Sequence, residues 1–341
     1  MTRRYFIKWL LLAAAVMGGI YLSFTTWWQR KLGEIVIKPK PKIEPTAENA
    51  PGGPALSFFL LSDLHVTADE PHPSRHLQRA LEDVMTIPTD TIILGGDLTD
   101  FGRKRDYDEL KGILDKFDLP PLYANMGNHD YYDIWIDEKG SFNEKAMPNG
   151  KTDAQSRERF QQFMGVDKPY HDAWIKGYHF IMVSQECYVQ EKPEVGEGAW
   201  YSDEQLEWLK GLLSQHKDNQ PVFIMIHQPL PPAGQDGRPH QLIRAKAFRE
   251  ILKPYPNIFV FSGHQHRDFR FPQDHYVKET FHWFANSSVG RVLNRQFKQE
   301  YPDSAQGLYV QVWGNRAVLR GREFSNRTWV DQAEWTVELM V

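Results

Sequence analysis

Thiols are nearly missing from this chain: among 341 residues there is one cysteine, Cys187. A disulfide framework and a thiolate metal cluster are therefore excluded within one chain. Cys187 reads as a buried small apolar residue. An excess of positive charge is missing too. Lys and Arg number 40 against 44 Asp and Glu, a net charge of −4, so composition implies no basic surface for nucleic acid. No internal repeat stands out. Long uncharged apolar runs are missing everywhere but one place, Trp9 to Thr26.

That run follows Arg3, Arg4 and Lys8, the layout of an export signal or a membrane anchor. The string Thr2-Arg3-Arg4-Tyr5-Phe6-Ile7-Lys8 resembles a twin-arginine signal, read by the twin-arginine export machinery. The run is longer than a usual signal core and near the lower limit for spanning a bilayer. Trp27 and Trp28 close it as interfacial aromatics would, and no small-x-small cleavage site follows Phe24. The expected organisation is a signal peptide or uncleaved anchor over 1–31, membrane contact through 9–28, an extended linker over 32–55 and one domain over 56–341. The domain is expected outside the cytoplasm, at the outer face of the inner membrane, or secreted if the signal is removed.

Within 56–341 the grammar is strand, polar loop, helix, strand. Apolar runs at Leu56–Ser62, Thr91–Leu94, Pro121–Met126, Val222–Ile226 and Ile258–Phe261 predict strands. Helical spacing predicts helices over Ser74–Met85 with Ser74 as N-cap, Asp106–Phe117, Ser202–His216 and Leu242–Leu252. Ser202 and Gln205 read as a capping box. A loop-rich insertion over Tyr131–Gly165 ends in a helix near Asp153–Met164, and Trp174–Ser184 resumes strand character with an intervening Gly177. Runs at Phe281–Phe284, Leu308–Trp313, Ala317–Arg322 and Thr336–Met340 predict antiparallel strands that extend or close a second sheet.

Five polar strings stand at the ends of apolar runs: Asp63-Leu64-His65, Gly96-Asp97-Leu98-Thr99-Asp100, Gly127-Asn128-His129-Asp130, Ile226-His227-Gln228-Pro229 and Gly263-His264-Gln265-His266. Ligands gather at the carboxyl ends of strands in such sheets. Together the strings supply Asp63, His65, Asp97, Asn128, His227, His264 and His266. This nitrogen and oxygen set without sulfur suits manganese, iron or zinc. Seven donors exceed the needs of one tetrahedral ion. Two ions sharing a carboxylate fit better, and such pairs serve in-line displacement at phosphorus.

The order Asp-x-His, Gly-Asp, Gly-Asn-His-Asp, His, Gly-His-x-His resembles the calcineurin-like metallophosphoesterases, over Asp63 to His266. The resemblance implies an α/β fold, a four-layer sandwich of two mixed sheets flanked by helices. It implies one ion on Asp63, His65, Asp97 and His266, and another on Asp97, Asn128, His227 and His264. It implies a metal-bridging hydroxide attacking phosphorus, His129 assisting the leaving group and Asp100 orienting His129. Asp130 reads as a structural loop-to-helix cap.

Gly-Asn-His-Asp with Gly-His-Gln-His resembles the class III subgroup that includes cyclic nucleotide phosphodiesterases. The lipid A pathway diphosphatases carry arginine at the place of His129, and protein Ser/Thr phosphatases carry Gly-Asn-His-Glu. The expected substrate is a phosphorylated small molecule or lipid, monoester or diester. A nuclease is disfavoured by the acidic balance and by export. The alternatives are a non-catalytic metal-binding scaffold at the cell envelope and a purely structural tethered protein; every ligand position is filled, which weighs for hydrolysis. The remaining histidines, His72, His76, His171, His179, His216, His240, His275 and His282, read as surface or packing residues. Tyr131, Tyr132, Trp174 and Trp283 read mostly as core, with Tyr131 and Tyr132 placed to reach a substrate.

Overall fold

The computed structural model describes residues 53–216 and 219–340. The expected signal or anchor and nearly all of the linker lie outside the described residues. No helix among the described residues is long and apolar enough to cross a membrane.

Two six-stranded sheets form the centre of the fold. In chain order the strands are β1 (Leu56–Leu61), β2 (Thr91–Gly95), β3 (Leu122–Asn125), β4 (His171–Ile175), β5 (Tyr178–Met182), β6 (Val222–Met225), β7 (Ile258–Ser262), β8 (Tyr276–Lys278), β9 (His282–Ala285), β10 (Gln306–Trp313), β11 (Arg316–Glu323) and β12 (Thr328–Glu338). The helices are α1 (Pro71–Val84), α2 (Lys104–Leu114), α3 (Asp153–Met164), α4 (Asp203–Leu213) and α5 (Ala245–Leu252). The first sheet runs β12-β11-β10-β1-β2-β3 and the second β4-β5-β6-β7-β9-β8.

Side-chain alternation along β1 explains the layering. Leu56, Phe58 and Leu60 join a core shared with Phe180, Phe223, Phe259 and Phe261 of the second sheet. The Phe58 and Phe223 rings meet edge to face at 5.0 Å between centroids. Phe59 and Leu61 face the other way, onto Leu77 and Leu81 of α1 and Leu110 and Ile113 of α2. The outer face of the second sheet packs Ile181 and Ile224 on Leu206 and Leu209 of α4 and Phe248 and Leu252 of α5. The result is helix, sheet, sheet, helix, the four-layer sandwich expected above. A strand buried on both faces carries no polar stripe, which is why β1 reads as a nearly unbroken apolar run. Each phenylalanine it buries contributes about 1.5–3 kcal/mol by leaving water.

Several expectations need correction. The last three strands do not build the second sheet. β10 pairs antiparallel with β1 and carries β11 and β12 with it. β9 does join the second sheet, but parallel to β7. The strand character of Trp174–Ser184 begins earlier, at His171, and breaks at Gly177 as expected: Lys176 and Gly177, both at positive φ, turn β4 into β5 as a hairpin. Helix α1 starts three residues before Ser74, at Pro71, whose missing N–H costs nothing in the first turn. Ser74 therefore caps nothing, and its buried hydroxyl has no hydrogen-bond partner. Helix α5 starts at Ala245; Leu242 forms an isolated bridge with Ala199 instead. Ser202 caps α4 through Gln205 N, but the Gln205 side chain holds Ser184 N and O rather than closing the box. The reciprocal box is at Thr152 and Gln155, at the start of α3.

Candidate metal centre

Five strand ends meet along one edge of the paired sheets. The ends of β1, β2 and β3 deliver Asp63 and His65, Asp97 and Asp100, and Asn128 and His129. The ends of β6 and β7 deliver His227, and His264 and His266. Parallel pairing puts these ends side by side within each sheet. The loops cross-tie directly: Leu64 N donates to Asp97 O at 2.9 Å and Gly263 N to His227 O at 2.9 Å. Two groups of donors result. Asp63, His65, Asp97 and His266 each place a ligand atom within 4.8 Å of the others', and so do Asp97, His227 and His264. Asp97 belongs to both. Asn128 Oδ1 lies 2.9 Å from His264 Nδ1, beside the second group.

The backbone is bent to make this possible. Asp63, His65, Asp97, His264 and His266 all sit at positive φ, between 49° and 69°. Each such residue costs about 1–3 kcal/mol, and clusters of them mark functional sites. Close approach is the other device. A Cβ on Gly127 would lie 2.2 Å from Asp97 Oδ1 and 2.7 Å from His227 Cδ2, so only glycine lets this turn pass the site.

Hydrogen bonds aim the imidazoles. Nδ1 of His227 donates to Gly95 O at 2.9 Å, Nδ1 of His266 to Arg291 O at 2.9 Å, and Nδ1 of His65 to Asp100 Oδ1 at 2.8 Å. At His65 and His266 these partners occupy Nδ1 and leave Nε2 with its lone pair on the inside, while Nε2 of His227 faces the Asp97 carboxylate. The Nε2 atoms of His65 and His266 then face each other at 3.0 Å, two acceptors with no donor between them. Asp97 Oδ2 lies 3.8 Å from His65 Nε2 and 3.1 Å from His227 Nε2, and Asp63 Oδ1 lies 3.2 Å from His266 Nε2. A buried cage of inward lone pairs and carboxylate oxygens fits divalent cations.

The electrostatics match that geometry at Asp63, Asp97, His65 and His264. Burial raises the Asp63 carboxyl, but His266 and then His227 outweigh it and bring it down to about 2. Burial opposes ionisation of Asp97 as well, yet His227 and His129 hold it well below the usual carboxylate range. Burial, helped by Arg291 and His129, lowers His65 to about 3, and burial with His227 lowers His264 to about 3. The aspartates are thus ionised and these two histidines neutral at neutral pH, the states that bind metal. His227 differs, because Asp97 and then Asp63 outweigh burial and raise it to about 9, so its Nε2 gives up a proton when a metal binds.

His129 stands at the rim. Its backbone N–H donates to Asp97 Oδ1 at 2.8 Å, and its Nδ1 donates to Asp100 O at 3.0 Å. Tyr132 stacks on its ring at 4.0 Å between centroids. Burial lowers its pKa, but Asp97 and Asp100 outweigh burial and raise it. Asp100 touches His129 through its side chain at 3.3 Å only; its shorter contacts are to His65 Nδ1 and, at 2.6 Å, to Arg291 Nη2. It orients a candidate ligand at least as firmly as it orients His129. Asp130 is structural but not a cap for its own turn, the 3-10 segment His129–Trp135. Its carboxylate accepts from Leu98 N, Thr99 N and Gly127 N, tying the loop after β2 to the loop after β3. Burial, then repulsion from Asp97, raises it to about 6 against those backbone donors.

Reasoning from sequence missed three neighbours. Glu197 Oε2 accepts from Asn128 Nδ2 at 2.7 Å and from the Tyr132 hydroxyl at 2.7 Å, and its other oxygen accepts from the Tyr188 hydroxyl. Holding the amide nitrogen this way turns Asn128 Oδ1 inward. Arg291 was unmarked, and His240 read as a surface or packing residue. The structure puts His240 on the wall of a cavity of about 450 Å³, with Asp97, Asn128, His129, Tyr132, Glu197, His264, Gln265, His266 and Phe297. Tyr131 is fully buried, its hydroxyl donating to Gln185 O, and does not line the cavity. Glu197→Ala is expected to weaken the ion on the Asn128 side about 10–100-fold, the usual cost of losing a residue that aims a ligand. Metal titration of chelator-stripped protein measures this; wild-type affinity would remove Glu197 from the role.

A family model described as calcineurin-like phosphoesterase matches residues 56–268. A probable cyclic nucleotide phosphodiesterase of Rhodococcus erythropolis is 25% identical over 226 residues, covering 62% of this chain and 66% of that protein, just under two thirds. A second, of Synechococcus, is 25% identical over 229 residues, covering 63% of this chain and 74% of that protein. Among solved structures, a dimetal phosphatase from Danio rerio gives a TM-score of 0.58 at 16% identity, covering 84% of this chain and 100% of that one. A purple acid phosphatase from yellow lupin gives 0.53 at 13% identity, covering 83% of this chain and 53% of that one. These two show likeness of fold.

Proposed function

Because the chain belongs to the calcineurin-like phosphoesterase family, we propose that it hydrolyses phosphate esters, phosphodiesters foremost, at a centre of two divalent ions. The observation that carries this is the pair of Nε2 lone pairs on His65 and His266, 3.0 Å apart with Asp63 and Asp97 beside them. A divalent cation satisfies two buried acceptors at that distance together with the carboxylates beside them. Bound ions would polarise the phosphoryl oxygens and lower the pKa of water at the site.

The chain's own groups do the rest. Asp63, His65, Asp97 and His266 would hold one ion, and Asp97, Asn128, His227 and His264 the other. His129, its pKa raised, presents a proton toward the ester oxygen that departs. The carbonyl of Asp100 keeps His129 Nδ1 occupied, so Nε2 is the nitrogen that gives the proton. Phe297, Tyr132 and His240 on the cavity wall offer apolar and aromatic surface to the alcohol portion of a substrate. The names of both bacterial relatives make cyclic nucleotides the first natural diesters to screen, followed by lipid phosphodiesters.

The test is hydrolysis of bis(p-nitrophenyl) phosphate against p-nitrophenyl phosphate by full-length protein loaded with manganese, iron or zinc. The expected result is faster turnover of the diester, lost on chelation and restored by the metal. A metal-loaded preparation inert to both esters overturns the proposal, and faster turnover of the monoester overturns its diester part.

A further inference from the structure

A second histidine cluster lies at the start of α1, outside the centre described above. His72 and His76 stand one turn apart on α1, their rings 4.1 Å between centroids. Asp303, in the loop before β10, completes the group: one ligand atom from each residue lies within 4.8 Å of the other two. Asp303 is exposed but its backbone is tethered, because Arg79 Nη2 of the same helix donates to its carbonyl at 2.8 Å.

His76 is the informative member. It is 1% exposed. Its Nδ1 faces two carbonyls, Gly290 O at 3.0 Å and Val289 O at 3.2 Å, and so carries the proton. Its Nε2 is then an acceptor, and it is buried with no hydrogen-bond partner. An unpaired buried acceptor is costly. A ring held by backbone carbonyls at one nitrogen, with the other left without a partner and a second histidine and a carboxylate grouped beside it, is the usual arrangement of a metal-binding imidazole. Burial, with the nearby His72 and Arg79 charges, lowers the His76 pKa to about 4, so the ring is neutral and ready to bind at neutral pH. The amino-terminal end of a helix disfavours a cation, and the charge of Asp303 offsets this.

We propose that His72, His76 and Asp303 form a zinc site, separate from the dinuclear centre, that braces α1 against the loop behind Asp63. Two imidazoles and one carboxylate are the donor set of a tetrahedral zinc whose fourth ligand is water. The brace reaches the catalytic strand end through one short path. His76 clamps the carbonyls of Val289 and Gly290. The amides of those two residues donate to Ser62 O at 3.0 Å and Asp63 O at 2.9 Å. Gly290 packs so closely there that a Cβ would lie 2.5 Å from Leu64 O.

The experiment counts zinc. Full-length wild-type, His72→Ala and Asp303→Ala proteins are stripped with chelator, reloaded with zinc, desalted and assayed for bound metal per chain. His72 and Asp303 are chosen because neither is fully buried, so circular dichroism is expected to match wild type. The expected result is one zinc fewer per chain in each variant. Equal zinc in wild type and both variants overturns the site. The readout is a difference in bound metal, so it stands whether or not the dinuclear centre hydrolyses esters.

Discussion

His129→Ala is expected to keep two ions per chain and to lower kcat for an alkyl phosphodiester by about 10²–10⁴-fold, the range for loss of a positioned proton donor. The metals stay because His129 meets Asp97 through its backbone N–H, which alanine keeps. The effect should depend on the leaving group. A p-nitrophenolate departs with little need of a proton, so its rate should fall much less than that of an alkyl ester. Metal analysis and the ratio of the two rates check this. An equal loss for both esters would assign His129 to charge stabilisation, and loss of metal would make it a ligand.

Gly127→Ala is expected to cost more than its one methyl suggests. The new Cβ would fall 2.2 Å from Asp97 Oδ1, 2.6 Å from Asp97 N and 2.7 Å from His227 Cδ2. No rotamer of Asp97 clears a collision that also involves its own backbone. The shared carboxylate must move relative to both donor groups. Metal affinity is expected to fall by at least about 10–100-fold, because even indirect loss of ligand aim has that effect, and diester turnover with it. Calorimetric metal titration and kcat/KM at saturating metal check the two halves. Wild-type affinity would mean that the loops have slack which the buried, hydrogen-bonded geometry does not suggest.

The donors were legible because each stands next to an apolar run. Strand ends are visible in sequence, and Asp63, Asp97, Asn128, His227 and His264 follow theirs within three residues. Glu197 was not legible. It lies between a short 3-10 turn and an isolated bridge at Ala199, far from any strand end, and nothing local tells a carboxylate that aims an amide from one in solvent. Arg291 was hidden for the same reason. The strands β1, β2, β3, β6 and β7 followed from their apolar runs, and the four layers from the family resemblance. The placing of β10 did not, because the register Leu60 to Leu308 is set by packing across most of the chain and has no local signature. Ser74 misled because a good capping residue stood inside a helix that prolines had already started.

The register of β10 has a consequence for synthesis. β1 emerges early, and β2 can pair with one side of it at once. Its other side waits until Gln306–Trp313 has been made. Until then Leu56-Ser57-Phe58-Phe59-Leu60-Leu61 is an open, apolar, proline-free edge, the kind of segment that recruits strands from other chains. The ribosome-bound chain therefore carries an aggregation hazard through most of its translation. A holdase that covers this edge until the carboxy-terminal hairpin arrives is expected to raise the yield of folded protein.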